Sequence, residues 1–381
     1  MKEIAIGLLG LGTVGRAFAR YADERAVAQG RKISIRAIAD SSGGTFLQAS
    51  EQLKELLACK NAGFKLRARA PEPLIQDISS FISALPAHGI SILVEALPTH
   101  HEDGEPGLGW LCQALSQGTS IVTVDKGPVA HGLELLLERA HKSGARLAFS
   151  GTTGVTAPRE IVGCTIREIC GVLNGTTNFI LTEMQEHLLN FESALSKAQE
   201  LGIAEPDPFL DIEGWDTACK ILILAKSWMF AFARLKDVSR LGIGPQIDEL
   251  IKQARSSGCV VRLVGGARFW QNRLRVSVAP KILGPDSPFF SVSGTSKAAV
   301  FYTVEKGEVF VPGLSGLEAV SQTILNDILA IASDLPPAER VASGSLHEAG
   351  ITRRKAPEGP SEISSGRAKR ARGYDGNSYK P

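Results

Sequence analysis

Residues 2–26 read KEIAIGLLGLGTVGRAFARYADERA, and this stretch decides the fold. An apolar run of strand length turns on Gly10, Gly12 and Gly15, then continues with helical spacing through Val14, Phe18 and Tyr21. The pattern is G-x-G-x-x-G between a strand and a helix. The first glycine permits the tight turn, the second lets backbone approach a pyrophosphate, and the third lets helix pack on strand. The helix start at Thr13 and Val14 favours the negative charge of phosphates. A second alternating strand, KISIRAIAD (32–40), ends on Asp40, 25 residues past Gly15. An acid at that place accepts hydrogen bonds from the adenosine ribose and repels a 2′-phosphate. No Arg or Lys follows in SSGG (41–44), so the pattern favours NAD over NADP. The alternative is a strand-end acid facing water.

Working outward, further strand–helix units follow. ISILVEALP (90–98) precedes a helix near 108–117, SIVTVDKGPVA (120–130) precedes a helix near 131–143, and ARLAFSG (145–151) closes the series. This alternation predicts a mostly parallel, doubly wound α/β sheet, whose ligands lie at the carboxyl ends of the strands. There stand EALPT (95–99) with Thr99, TVDK (123–126) with Lys126, and SGTTG (150–154). Lys126 reads as the end of a buried strand. It is either a cation aimed at nicotinamide and substrate or a solvated strand-end lysine.

The chain has 381 residues, enough for two domains, and its 44% hydrophobic and 22% charged content is ordinary for a globular protein. No uninterrupted run of apolar residues is long enough for a transmembrane helix. The first apolar run is broken by glycines and reads as a strand rather than a signal peptide. The cysteines (Cys59, Cys112, Cys164, Cys170, Cys219, Cys259) are scattered without a CxxC pair, so neither a zinc site nor a disulfide framework is expected. A reducing, cytoplasmic compartment fits. From Arg353 to Pro381 there are eight Lys/Arg against three Asp/Glu, leaving 34 basic and 37 acidic residues elsewhere. That segment, rich in Gly, Ser and Pro, predicts a disordered basic tail over 340–381. Its RAKRAR (367–372) could touch a polyanion, but a solvated tail without a partner is the favoured reading.

In the second half, GVLNGTTNFIL (171–181) sets a Gly/Asn/Thr-rich centre between apolar flanks, which suits a helix start or a polar ligand. AEPDPFLDIEGWDTACK (204–220) then places five acids ahead of Lys220 and the apolar ILILAK. Asp216 and Lys220 lie four apart, acid first, which favours pairing on one helical face. Asp207, between Pro206 and Pro208, reads as a loop former.

These blocks resemble the homoserine dehydrogenase family, from the N-terminus to about residue 335. The carriers are GLGTVG (10–15), VEALPTHHEDGEPGL (94–108), VTVDKGPVA (122–130), GVLNGTTNFIL, AQELGIAEPDPFLDIEGWDTACK (198–220) and, more loosely, VPGLSGLEAVSQTILNDIL (311–329). The resemblance implies interconversion of L-homoserine and L-aspartate semialdehyde with a nicotinamide cofactor, on the way to threonine, methionine and isoleucine. The implied fold is a Rossmann-type domain (1–150) and an α+β substrate and dimerisation domain (151–312). A C-terminal helix (313–335) returns to the first domain. The implied assembly is a homodimer. No membrane partner is expected, nor a nucleic-acid partner beyond a weak role of the basic tail, and that tail reads as too short and polar for a threonine-sensing regulatory domain.

The resemblance also assigns residues. Glu205 and Asp211 hold the substrate's amino end, with Asn174, Gly175 and Thr176 beside them. Lys126 and Lys220 flank the reacting oxygen, one of them exchanging its proton, and Asp216 pairs with Lys220. Desolvation and a neighbouring ammonium are expected to lower the pKa of the catalytic lysine. Gly10, Gly12, Thr13, Val14, Gly15, Asp40, Thr99 and Lys126 hold NAD. A monovalent cation is implied on backbone carbonyls near Ser150, Thr153, Val155 and Ala157. Four features depart from the family pattern: Ile203 where tyrosine is frequent, Asp125 in place of asparagine, Lys297 in place of asparagine, and GLSG (313–316). They keep two alternatives open, a dehydrogenase for another amino alcohol and a nucleotide-binding sensor without catalysis.

Overall fold

The structure is a computed structural model that describes residues 2–25, 27–28, 31–71, 74–271 and 273–333. The segment 340–381, read as a basic tail, lies outside them.

The first half builds one sheet. Its strands are β1 (Lys2–Leu9), β2 (Val27–Ala28), β3 (Arg31–Asp40), β4 (Gly43–Phe46), β5 (Ile92–Glu95), β6 (Ser120–Thr123) and β7 (Leu147–Ala148). The order β3-β1-β5-β6-β7 is parallel throughout, and β2 and β4 pair antiparallel with β3. Every residue of β5 is buried, as expected of a strand covered on both faces. The helices are α1 (Thr13–Glu24), α2 (Ser50–Asn61), α3 (Ile78–Ala84), α4 (Gly107–Ser116) and α5 (Lys126–Ser143). Helix α5 corrects the reading of its start. Strand β6 ends at Thr123, and Lys126 opens the helix rather than closing a strand. Asp125 caps it by accepting from the Gly127 N–H at 2.9 Å, and Pro128 falls in the first turn, where its missing N–H costs nothing.

The second half is a mixed α+β unit. It runs β8 (Ile166–Val172), α6 (Gly175–Glu186), α7 (Phe191–Glu200), α8 (Phe209–Ile212), α9 (Trp215–Met229), β9 (Ser239–Arg240) and α10 (Ile247–Ser256). Then come β10 (Val260–Trp270), β11 (Arg273–Leu283), β12 (Ala298–Thr303), β13 (Gly307–Pro312) and α11 (Leu317–Ala332). The sheet order is β13-β12-β8-β10-β11-β9. Helix α9 packs on β8, β10 and β11 and also meets α5 of the first sheet. Its ILILA segment is wholly buried, so the charged residues one turn earlier are carried into the interior with it.

Helix α11 returns to the first sheet. Ile324, Leu325, Ile328 and Ile331 share one apolar cluster with Ile6, Leu8, Phe18 and Ile33. Each such side chain contributes about 1.5–3 kcal/mol by burial. Arg146 Nη1 donates to the Ile331 carbonyl at 2.6 Å, and Ser150 Oγ donates to the buried Asp327 at 2.8 Å. No helix among the described residues is long and apolar enough to cross a membrane.

Candidate active site

Asp216 is the centre. It sits in the first turn of α9, buried, with Lys126 Nζ 3.2 Å from Oδ1 and Lys220 Nζ 2.6 Å from Oδ2. Asn174 Nδ2 donates to Oδ2 at 2.9 Å. Burial alone would raise the Asp216 pKa, but the two ammoniums and the Asn174 amide reverse this and hold the carboxyl well below the usual range. Burial acts on Lys126 in the opposite sense to Asp216, and the carboxylate wins, so the Lys126 pKa is raised. The expected lowering is therefore not found at Lys126; a counterion outweighs desolvation.

Lys220 is fixed from two sides. Its Nζ donates to the Leu173 carbonyl at 2.8 Å and to Asp216 at 2.6 Å. An ammonium has three N–H donors, so one tetrahedral position remains for a reacting group.

The head of α6 supports this arrangement. Asn174 caps the helix, its Oδ1 accepting from the Thr177 N–H at 2.8 Å, while Nδ2 donates to Asp211 Oδ1 at 2.5 Å as well as to Asp216. The side chain is a truss between α6, α8 and α9. Asp211, half-buried, has its pKa raised by burial and by the Asp216 charge. Thr176 Oγ1 donates to the Ile203 carbonyl at 3.1 Å. A Cβ on Gly175 would lie 3.0 Å from the Thr295 carbonyl, so the backbones meet closely there. Glu205 is exposed, and no hydrogen bond from its carboxylate to this cluster is found among the described residues. Asp207 Oδ1 accepts from the Phe209 N–H at 3.1 Å, as a loop former does.

Beneath Lys126 lies a buried carboxyl network that the linear sequence does not announce. Burial and the Asp125 charge push Glu95 up to about 8, and burial also raises Asp125. Thr123 Oγ1 donates to Glu95 and accepts from the Asp125 N–H, and the Leu97 N–H donates to Glu95 at 2.8 Å. Thr99 Oγ1 accepts from the Lys126 N–H at 3.4 Å. His101 Nδ1 stands 3.4 Å from Cys219 Sγ. Burial and Lys126 pull this imidazole down to about 4, so it is neutral at neutral pH.

The turn at Gly10, Gly12 and Gly15 fits a dinucleotide. Gly10 has φ +100°, and a Cβ there would lie 2.4 Å from the Ala96 carbonyl oxygen. A Cβ on Gly15 would lie 1.9 Å from the Gly10 oxygen. Next to Gly12, which precedes Thr13 and Val14 at the head of α1, there is open space. Two substitutions should therefore behave differently. Gly15→Ala must shift the turn and should lower thermal stability along with NADH affinity, the latter by about tenfold to a hundredfold for a strain of 1–3 kcal/mol. Gly12→Ala should weaken NADH while leaving the melting temperature close to wild type. Tryptophan-fluorescence titration and calorimetry separate the two.

Asp40 differs in detail from the ribose acceptor expected. Its Oδ1 accepts from the Ser42 N–H and hydroxyl at 2.8 and 2.6 Å; its Oδ2 accepts from Lys60 Nζ at 2.7 Å and the Leu66 N–H at 3.2 Å. Against the effect of burial, these donors hold the carboxyl below its usual range, so it stays ionised. Lys60 comes from α2, 20 residues downstream, with no local sequence cue.

Comparison with known proteins gives the family. A family profile described as "Homoserine dehydrogenase, NAD binding domain" matches residues 10–150, and one described as "Homoserine dehydrogenase" matches residues 156–329. The chain is 33% identical over 334 residues to homoserine dehydrogenase of Methanocaldococcus jannaschii, covering 85% of this chain and 97% of that one. It is 33% identical over 347 residues to the NAD(+)-dependent homoserine dehydrogenase of Pseudomonas canavaninivorans, covering 87% and 97%. Among solved structures, a putative homoserine dehydrogenase from Archaeoglobus fulgidus superposes with TM-score 0.71 at 29% identity, covering 86% and 99%. A hyperthermophilic archaeal homoserine dehydrogenase in complex with NADPH superposes with TM-score 0.70 at 28% identity, covering 88% and 99%. The chain belongs to the homoserine dehydrogenase family.

Proposed function

We propose that the chain interconverts L-homoserine and L-aspartate semialdehyde with NAD as its preferred cofactor, through a division of labour between two lysines. The observation that carries this reading is the single buried carboxylate, Asp216, shared by Lys126 and Lys220. Lys126, whose pKa is raised, remains an ammonium and stabilises the negative charge that develops on the substrate oxygen. Lys220 exchanges the proton. With two N–H groups held by Leu173 and Asp216, its fourth tetrahedral position carries the proton in one direction of the reaction and the lone pair in the other. A bound nicotinamide would supply a hydride acceptor for the carbinol carbon in one direction and a hydride donor for the aldehyde in the other. Asp211, joined to Asp216 through Asn174, serves the substrate ammonium, and the exposed Glu205 is its second carboxylate. Asn174 holds Asp211 and Asp216 in place, and Gly175 and Thr176 shape the floor.

Gly10, Gly12, Thr13, Val14 and Gly15 would hold the dinucleotide, and Thr99 and Lys126 would stand at its nicotinamide end. NAD preference rests on the ionised Asp40, which opposes a 2′-phosphate; Lys60 is the partner that a ribose would displace. A monovalent cation on the carbonyls near Ser150, Thr153, Val155 and Ala157 belongs to the same proposal, and potassium dependence of the rate tests it. The assembly is a homodimer built on the second sheet, where Glu168, Arg268, Arg275 and Lys281 line a hollow; sedimentation equilibrium tests it. For the activity itself, steady-state oxidation of L-homoserine should give a higher kcat/KM with NAD than with NADP. A preference for NADP would sink the cofactor assignment, and inactivity with both would sink the reading.

A further inference from the structure

A third lysine belongs to this centre. Lys297 lies just before β12, whose Ala298 pairs with Val172 of β8. Lys297 and Leu173 are the next residues past that pair, and Leu173 is the residue whose carbonyl holds Lys220. The stem of Lys297 is covered by Gly313, where a Cβ would lie 2.6 Å from the Lys297 Cβ. Gly313 N–H also donates to the Lys297 carbonyl at 2.7 Å, which fixes the backbone. The ammonium stands beside Gly154, 3.2 Å from where a Cβ on that glycine would be. Among the described residues it has no ion pair or hydrogen bond.

The charged groups facing it are Lys220 and Asp216 from α9 and Lys126 from α5. The segments 150–157 and 313–317 that pack around it contain no titratable side chain, and neither does the head of α6 at 174–178. Lys297 thus adds a third ammonium within the field of the buried Asp216, whose ion pairs are with Lys126 and Lys220. An unpaired, half-buried cation is costly unless a ligand compensates it. Burial and the two neighbouring lysines pull Lys297 down to about 8, which records that cost.

We propose that Lys297 is a specificity-determining residue of this site, its ammonium receiving the α-carboxylate of the amino-acid substrate. The inference rests on the reading of the site given above. Lys126 and Lys220 take the reacting oxygen and Asp211 takes the amino group, so the carboxylate is the one charged substrate group without an opposite charge. Lys297 supplies it from the residue before β12, at the same step past the Ala298–Val172 pair as Leu173, the Lys220 anchor. Charge-assisted pairing of this kind separates a free amino acid from the corresponding amino alcohol.

The test is steady-state kinetics on the full chain with L-homoserine and with aminopropanol, which is homoserine without its carboxylate. Lys297→Met should raise the KM for L-homoserine by about tenfold to a hundredfold. The preference for homoserine over aminopropanol should shrink by the same factor, and the KM for NAD should not move. Lys297→Arg should recover most of the loss. In the wild type the ammonium is fully present only well below pH 8, so the KM for homoserine should rise as pH passes through about 8, and this rise should vanish in Lys297→Met. If the methionine variant is poorly folded, Lys297→Gln and the wild-type pH profile carry the same test. An unchanged homoserine KM, or a change confined to kcat or to the KM for NAD, overturns the proposal. Wild-type inactivity on homoserine instead overturns the reading on which it rests.

Discussion

Lys220→Ala is expected to lower kcat for homoserine oxidation by about 10²–10⁴, the usual contribution of a positioned acid or base. The loss should appear in kcat and kcat/KM together, because the proton is shared only in the transition state. Substrate affinity should change less, since Lys126 keeps its cation opposite the same oxygen. Structure around the gap should survive. The buried Leu173 carbonyl loses a donor, at a cost of about 1–3 kcal/mol, while Asp216 keeps Lys126 and Asn174. Steady-state kinetics beside a thermal melt separate this from misfolding. A variant that keeps more than a tenth of wild-type kcat would remove Lys220 from the proton transfer and leave Lys126 as the candidate.

Asp216→Asn should produce the largest loss of stability at the site. The substitution keeps an acceptor for Asn174 but removes the counterion of two lysines whose side chains are largely buried. Breaking a buried pair from one side costs about 3–5 kcal/mol. The sign with pH is definite. In the wild type Asp216 holds Lys126 above its ordinary value against the pull of burial; without it, burial works against the charged form, with the Asp125 charge left to oppose it. The Lys126 ammonium left without Asp216 is costly only while charged, so the destabilisation should be greatest at neutral pH and shrink at alkaline pH as that lysine loses its proton. Urea unfolding at neutral and alkaline pH measures this, and equal destabilisation at both would contradict it.

The parts of this architecture that lie close together in the chain were legible in the sequence. The strand, glycine turn and helix of residues 2–26 announce themselves because period, glycines and helix start fall in one window. The Asp216–Lys220 pair is legible for the same reason, since one helical turn separates the two. Lys126 was harder. Its neighbours Thr-Val-Asp read as strand, yet Asp125 as a cap and Pro128 in the first turn mark a helix start. Through-space partners gave no signal. Lys60 reaches Asp40 from another helix, and the Leu173–Lys297 adjacency depends on an antiparallel register between distant strands. Asn174 shows another limit. A polar residue at a helix head can bind a ligand or brace its neighbours, and only the geometry reveals how many of its hydrogen bonds are already used.

The most direct test of the account is chemical rescue of Lys220→Ala by small primary amines. The vacated space lies between the Leu173 carbonyl and Asp216, which would hold an alkylammonium as they hold Lys220. Activity should return in proportion to added amine, and among amines of similar size the rescued rate should vary systematically with amine basicity. Rescue that is absent, or independent of basicity, would contradict proton exchange at Lys220.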